Sequence, residues 1–166
     1  MSETNNFAEQ IIEASRAFTE TLRMENAVHQ AQINEAIATT VHAFGELITL
    51  CKDSIAVGNP NSIAQGHQNL SDTAQQALAE IQKASAQTVK APPVNDLPTI
   101  SEGIGLDSAV VLAVALSYQN AVNAQQQTNV MLQAATTQII TTILSVATAT
   151  LSIAVREAEQ KQSITG

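Results

Sequence analysis

The sequence predicts an all-α protein with an N-terminal antiparallel helical hairpin, a Pro-rich linker and a long, uncharged C-terminal helix or helical hairpin. Three observations predict this fold class. Apolar residues recur every three or four positions along three segments, as on one face of a helix. Gly58-Asn59-Pro60 and the proline-rich stretch 91–98 separate the segments. The 48 residues from Ser108 to Val155 contain no Asp, Glu, Lys, Arg, His, Gly or Pro.

The first helix is predicted from about Asn6 to Val57. Asn6 and Glu9 have the spacing of a capping box, in which the two side chains satisfy backbone donors of the first turn. Gly58 suits the left-handed position after the helix, and Pro60 blocks its continuation. The expected buried stripe comprises Phe7, Ile11, Ala14, Phe18 and Leu22, then Ile33, Ile37, Val41, Phe44, Ile48, Cys51 and Ile55.

The second helix is predicted from about Ser62 to Val89, and the short loop before it favours an antiparallel hairpin. Its thin, Ala-rich stripe comprises Ile63, Leu70, Ala74, Ala77, Ile81, Ala84 and Thr88. Prolines 92, 93 and 98 predict a stiff, extended linker. A bend at Glu102–Gly105 follows, and Asp107 or Ser108 is a suitable cap for a third helix.

The third segment has no Gly or Pro between Leu106 and Thr165. Its expected seam, with spacings that alternate between four and three, comprises Val111, Ala115, Tyr118, Val122, Gln125, Asn129, Leu132, Thr136, Ile139, Ile143, Val146, Thr150 and Ile153. One unbroken helix over the uncharged block has a length of roughly 70 Å. A bend at 123–129 between two shorter helices is the alternative. Ile139–Val155 also has ten β-branched residues in seventeen, which favours strand by propensity, but no turn signals divide it and helix is favoured.

These segments predict three parts. Residues 1–90 form the helical hairpin, residues 91–107 the Pro/Gly linker, and residues 108–161 the assembly helix region.

Charge and composition exclude several function classes. The net charge of −8 disfavours nucleic acid and anionic membrane surfaces, both of which require clustered Lys and Arg. A single cysteine, Cys51, cannot form an internal disulfide and fits a reducing compartment. The first ten residues lack a basic and apolar leader pattern. A cytoplasmic location is therefore expected.

No pattern in the sequence indicates catalysis, a metal site or a bound cofactor, and a non-enzymatic protein is expected. His29, His42 and His67 lack the spacing of a metal site. His29 and Glu25 are expected to form an exposed ion pair at i, i+4. Cys51 lies on the apolar stripe and is expected to be a small buried residue rather than a nucleophile.

The Gln, Asn and Thr residues at 119–138 allow two interpretations, a solvated helix face or an interface between identical chains. The interface is favoured because a solvated face ordinarily carries charge. The candidate interface residues are Tyr118, Asn120, Asn123, Gln125, Gln126, Gln127, Asn129, Gln133, Thr136 and Thr137. A small membrane-active or pore-forming protein is the alternative, although Ile139–Val155 is 17 residues long, near the lower limit for a span.

This block also carries a family resemblance. Tyr118–Val130 reads YQNAVNAQQQTNV and Gln133–Gln138 reads QAATTQ. These runs resemble the RebB-like "killing trait" family of refractile-body (R-body) structural proteins, over about Asp107–Val155. The N-terminal hairpin departs from that pattern. The resemblance implies a bacterial cytoplasmic protein, without catalysis, that polymerises into a ribbon. The ribbon coils into a hollow roll that, in some members, extends on acidification and ruptures membranes.

Partners and regulation follow as expectations. The partners are the chain itself, as a homopolymer, and sister R-body subunits, with no nucleic acid and with membrane contact only for the assembled form. All three histidines, and thirteen of the acidic residues, precede the uncharged block. Acidification charges histidines and neutralises carboxylates. His29, His42 and His67 are therefore the candidate pH sensors.

Overall fold

The computed structural model contains three helices, α1 (Ser2–Val57), α2 (Asn61–Ala86) and α3 (Leu106–Thr165). It describes residues 2–86, 89–93 and 106–165, with side chains for 6–86, 89–93 and 109–164. These ranges contain no strand, so the all-α prediction is confirmed. Thr88 of the predicted stripe and most of the predicted linker, including Pro98 and the Glu102–Gly105 bend, lie outside the described residues.

Helix boundaries resolve two of the open alternatives. α3 continues without a break through residues 123–129 and 139–155, so the bend and the strand are both excluded there. The predicted cap at Asn6 is wrong, because α1 already begins at Ser2. The Asn6 side chain instead accepts a hydrogen bond from Gln10 Nε2 one turn later, at 3.3 Å.

The contacts divide the chain into two compact units. Unit 1 comprises Met1–Gln30 with Ser85–Val130, and unit 2 comprises Ala31–Ala84 with Met131–Gly166. Each unit therefore takes residues from both α1 and α3. The predicted division at 1–90, 91–107 and 108–161 follows the order of the elements along the chain and stays a prediction.

Unit 1 is built on parallel packing between α1 and α3. The Phe18 and Tyr118 rings lie 4.4 Å apart, and the hydroxyls of Ser15 and Tyr118 are 2.9 Å apart. Further along both helices, Gln125 Nε2 donates to Asn26 Oδ1 at 3.1 Å. The residue numbers rise together along the two helices, from the Ser15–Tyr118 contact to the Asn26–Gln125 contact, so the two segments run parallel. The buried cluster comprises Phe7, Phe18, Val111, Ala115, Tyr118 and Val122.

Unit 2 adds α2 to the same pair of helices. Leu47 shares a buried cluster with Ile63 near the start of α2, and Ala36 shares another with Ile81 near its end. α2 is therefore antiparallel to α1. At Gly66 of α2, an added Cβ atom would lie 2.7 Å from Leu50 Cδ1, so a larger residue there would require the Leu50 side chain to move.

The turn after α1 has the predicted chemistry. Gly58 has φ +68°, a conformation that costs about 1–2 kcal/mol in a residue with a Cβ atom. The Asn59 N–H donates to the Ser54 carbonyl at 3.0 Å, which is the hydrogen bond of a Schellman motif. The Asn59 side chain then accepts from Asn61 N–H at the start of α2, at 3.2 Å.

The predicted seam of α3 is correct in unit 1 and at Thr136, and it is wrong by one residue at three later positions of unit 2. Val111, Ala115, Tyr118, Val122, Gln125, Asn129 and Thr136 are buried as expected. Beyond them Ile139, Val146 and Ile153 are 44%, 49% and 57% exposed, and the buried residues are Ile140, Ala147 and Ala154.

The seam of α1 shifts in the opposite direction. Val41 is 50% exposed whereas Thr40 and Leu47 are fully buried. Two physical reasons account for these shifts. A strict 3.5-residue repeat drifts by about 20° per heptad against a straight helix, which moves the buried position toward later residues, as in α3 but not in α1. In unit 2, α2 supplies a second neighbour toward which both helices turn, and this second reason accounts for the shift in α1.

The fold makes a prediction that compares a glycine inside α1 with the glycine that ends it. We expect Gly58→Ala to lower the free energy of unfolding by about 1–2 kcal/mol through its positive φ. The new methyl would also lie 3.3 Å from the backbone nitrogen of Gln162. Gly45→Ala, whose Cβ meets nothing within 4 Å, should raise that free energy by up to about 1 kcal/mol. Urea titration followed by circular dichroism, in dilute solution, measures both. Equal effects of the two substitutions would contradict the role assigned to Gly58.

Candidate self-assembly surface

The ten predicted interface residues lie on two different sides of α3. Four are buried within the chain, namely Tyr118, Gln125, Asn129 and Thr136. Four are exposed, namely Asn120, Asn123, Gln127 and Thr137, and two are half-buried, namely Gln126 and Gln133. The structure therefore does not bring the ten together as one surface. Their role in assembly stays a prediction, and the exposed members are the ones accessible to another chain.

The buried members are used inside the chain. Tyr118 packs on Phe18 and its hydroxyl meets that of Ser15, and Gln125 donates to Asn26. Sequence reasoning did not identify Ser15 and Asn26 as partners. The one available signal was the weakening of the apolar stripe of α1 near Glu25, where polar residues face the amide-rich middle of α3.

The exposed amides form a stripe in unit 1. Asn120, Asn123 and Gln127 follow one another at helical spacing and share a face of α3. Within the described part of the chain their side chains make no hydrogen bond, and each amide offers two donors and an acceptor oxygen. These amides are therefore the groups of α3 that are available to bond with an external partner.

The threonines of α3 present methyl groups rather than hydroxyls. All seven from Thr128 to Thr150 donate their hydroxyl to the backbone carbonyl four residues earlier, at 2.7–2.9 Å. A hydroxyl that bonds to its own helix leaves its donor satisfied and, at an exposed position, its methyl group outward. The surface is consequently more apolar than its composition suggests.

We define the outer face of α3 as its exposed stripe in unit 2, opposite the buried one. It comprises Ala134, Gln138, Thr142, Ser145, Ala149 and Ser152. None of these side chains is charged, and all are small except Gln138. Large apolar residues flank the stripe, since Met131, Ile139 and Val146 are 72%, 44% and 49% exposed. In a chain of net charge −8, this face lacks the charge that would repel an identical copy.

The three histidines occupy three different environments. His29 is 5% exposed and neither ring nitrogen has a hydrogen-bond partner, so the predicted exposed ion pair with Glu25 is wrong. His42 is exposed and lies 3.5 Å from Glu46. His67 is half-buried, with its Nε2 3.4 Å from the Thr148 hydroxyl. Of the three, only His29 is buried with both ring nitrogens unpaired among the described residues.

Other reactive side chains form no recognisable centre. No group of three His, Cys, Asp or Glu side chains among the described residues is placed to hold a metal ion. Cys51 is buried, as expected. Burial also raises the pKa of its thiol, which keeps it in the unreactive, protonated form.

One helix is long and apolar enough to cross a membrane. Ala109–Ile164 contains an 18-residue window of mean hydropathy 1.8, of which 17% is buried in the structure. A window of this hydropathy corresponds to residues 138–155, which is the apolar run Ile139–Val155 with one further residue. Length and hydropathy alone do not distinguish a span from a contact surface between proteins.

Comparison with known proteins gives one match. Residues 93–150 match the model of the RebB family, described as "Killing trait", which confirms the resemblance seen in the sequence for this part of the chain. The match supports a role related to R-body components. No curated protein and no solved structure matches the chain.

The environment of His29 makes a stability prediction. His29→Leu should raise the free energy of unfolding at neutral pH by about 1–2 kcal/mol, because it removes two buried ring nitrogens that lack partners. His42→Leu, at an exposed position, should change it by less than about 0.5 kcal/mol. Chemical denaturation of both variants at pH 7 measures the difference. A loss of stability in His29→Leu would indicate that the imidazole is hydrogen-bonded after all.

Proposed function

We propose that this protein is a non-enzymatic structural subunit that polymerises into a coiled, R-body-like ribbon in the bacterial cytoplasm. The observation that carries the proposal is the uncharged, methyl-rich exposed side of α3, which lies in the region of the RebB match. The partners are further copies of the same chain and sister R-body subunits. No cofactor takes part.

The distribution of charge supports self-contact through α3. Residues 1–55 hold eight acids and three bases, and residues 56–107 hold five and two, whereas 108–155 hold none. A contact between α1 or α2 of one copy and α1 or α2 of the next brings like charges together, which is unfavourable. Copies that meet through α3 avoid that repulsion and remove exposed methyl groups from water.

The unpaired amides support specificity at the same contact. Asn120, Asn123 and Gln127 can pair with amides of a neighbouring subunit, and such pairs fix register more sharply than methyl groups do. Heterologous contacts between identical subunits generate open polymers unless the rotation closes a ring. A thin ribbon whose two faces differ in composition will curl.

We extend the proposal to acidification, with His29 as the residue that responds. A proton on His29 creates a positive charge in a buried position where neither ring nitrogen has a partner, and a buried, unpaired charge is costly. Protonation would therefore loosen the packing of α1 on α3 in unit 1. Neutralised carboxylates on α1 and α2 would at the same time reduce the repulsion between subunits. Together, the looser packing and the lower repulsion would let the ribbon extend and disrupt membranes.

A membrane-active protein is the second candidate function. The apolar window within Ala109–Ile164 favours it, since four-fifths of that window is not buried by the rest of the chain. The length of the apolar run argues against it, because the 17 residues of Ile139–Val155 are near the lower limit for a span.

A matched pair of isosteric charge substitutions tests assembly. We expect the wild-type protein to form ribbons in electron micrographs and to pellet without lipid or detergent. Gln127→Glu should reduce the pelleted fraction at least tenfold, because it brings an unpaired charge into a contact where it is removed from water. Gln65→Glu makes the same change at an exposed position of α2 and should pellet like wild type.

The outcomes separate the candidate functions. A wild-type protein that stays monomeric at high concentration would contradict the proposal. Sedimentation only in the presence of vesicles, with resistance to alkaline extraction, would instead support the membrane-active function. Equal pelleting of the two Glu variants would place Gln127 outside the contact while leaving polymerisation itself intact.

The acid response has its own test. If ribbons extend as the pH falls, His29→Gln should lower the pH of the transition or abolish it, since a neutral amide takes up no proton. His42→Gln and His67→Gln should leave the transition where it is. Turbidity and electron microscopy of assembled ribbons between pH 7 and pH 4 measure the shift. A transition that is unchanged in all three variants would assign the response to the carboxylates.

A further inference from the structure

Neither the backbone conformation nor a contact among the described residues explains why position 45 is a glycine. It lies exposed in the middle of α1, and a Cβ added there would meet nothing within 4 Å. A glycine inside a helix costs about 1 kcal/mol relative to alanine. Gly58 and Gly66 are different, because the first has a positive φ and the second lies under Leu50. The structure therefore points to a contact at Gly45 from outside the chain.

The absence of a side chain at Gly45 leaves a gap on the exposed surface of α1. Gly45 lies on the floor of a shallow hollow on the outward side of α1, lined also by Val41, His42, Glu46, Thr49 and Leu50. Val41 is half-exposed although it is apolar. Where a helix surface lacks side-chain atoms, a second helix can bring its backbone close, provided that its own residues are small.

We propose that the hollow at Gly45 binds the outer face of α3 of a second copy of this chain. The inference rests on the proposed self-assembly and names the surface that α3 contacts. Small residues of the outer face, such as Ala134, Ser145 and Ala149, allow the close approach that Gly45 permits. Large side chains at those positions would hold the two helices apart.

Charge selects the outer face of α3 over other surfaces of the second copy. The ionisable side chains of the hollow are His42 and Glu46, which lie 3.5 Å from each other. α1 and α2 would bring acidic residues of the second copy toward Glu46, whereas the α3 stripe from Ala134 to Ser152 contains none. The amide of Gln138 can donate a hydrogen bond to Glu46 without adding charge.

The contact uses two different surfaces of the same unit. Each unit 2 carries one hollow and one outer face of α3, so a copy that binds through its hollow still offers its own α3. Such heterologous contacts repeat along one direction, and a chain of subunits grows until its ends are capped. An isologous α3–α3 contact would instead be complete in a dimer.

Two substitutions to leucine, one in the hollow and one outside it, test the inference. Gly45→Leu should raise the concentration needed for assembly at least tenfold, because its side chain fills the hollow. Ala79→Leu adds a leucine at an exposed position of α2 and should assemble like wild type. Gly45→Ala gives the sharpest result, since we expect it to stabilise the subunit and yet to weaken assembly. Sedimentation over a concentration series measures assembly, and circular dichroism shows that each variant is folded.

A labelling experiment provides a second measurement on the intact protein. Thr49→Cys should react with a maleimide in dilute solution and be protected in the assembled state, while the buried Cys51 gives the background. Wild-type assembly by Gly45→Leu, an equal loss in Ala79→Leu, or an unprotected Thr49→Cys would overturn the inference. Failure of the wild-type protein to assemble would instead overturn the proposed function.

Discussion

The parallel packing of α1 against α3 is the interaction on which the rest of the structure depends. In unit 1 it is made by the Phe18–Tyr118 stack and by the hydrogen bond between Asn26 and Gln125, and in unit 2 α2 packs onto the same pair of helices. The uncharged part of α3, Ser108–Val155, cannot be held by ion pairs. It is held here by apolar residues and by a few polar contacts, and this arrangement leaves the opposite side of α3 without a partner among the described residues.

What α3 presents on that side is decided by its threonines. Because their hydroxyls bond to the carbonyls of their own helix, a face of polar composition becomes a face of methyl groups. Burial of such surface gains roughly 25 cal/mol per Å² in either a protein contact or a bilayer. The exposed amides at 120, 123 and 127 precede the apolar run Ile139–Val155, so they can bond to another protein whether or not that run enters a bilayer.

Much of the fold follows from local signals. The helix type, the end of α1 at Val57 and the left-handed glycine after it were all readable from spacing, Gly58 and Pro60, because these depend on a few adjacent residues. The seam of α3 was predictable as far as Thr136. Beyond Thr136 the buried residue is Ile140 rather than Ile139, because α3 directs its buried face toward α2 in unit 2. The position of α2 cannot be predicted from the periodicity of α1 and α3.

The candidate surface was predictable as a region but not residue by residue. The absence of charge identified α3, and the spacing placed Gln125 and Asn129 on its buried seam, yet the candidate surface still combined these two with the exposed Asn120 and Asn123. Composition is the same on both sides of the helix, and only the packing partner distinguishes them. His29 was misjudged for a similar reason. A histidine near a glutamate looks like an exposed pair until the position of α3 is known.

The buried polar residues of unit 1 lower the stability of the subunit, but they have a physical use. His29, Gln125 and Asn129 are buried, and both nitrogens of His29 and Oε1 of Gln125 lack partners. Apolar residues at these positions would stabilise the pair of helices but would pack almost equally well one turn out of register. A subunit that repeats many times in a ribbon multiplies any error in register along the polymer. A weaker contact between α1 and α3 that allows one register only therefore suits assembly better than a stronger contact whose register can slip.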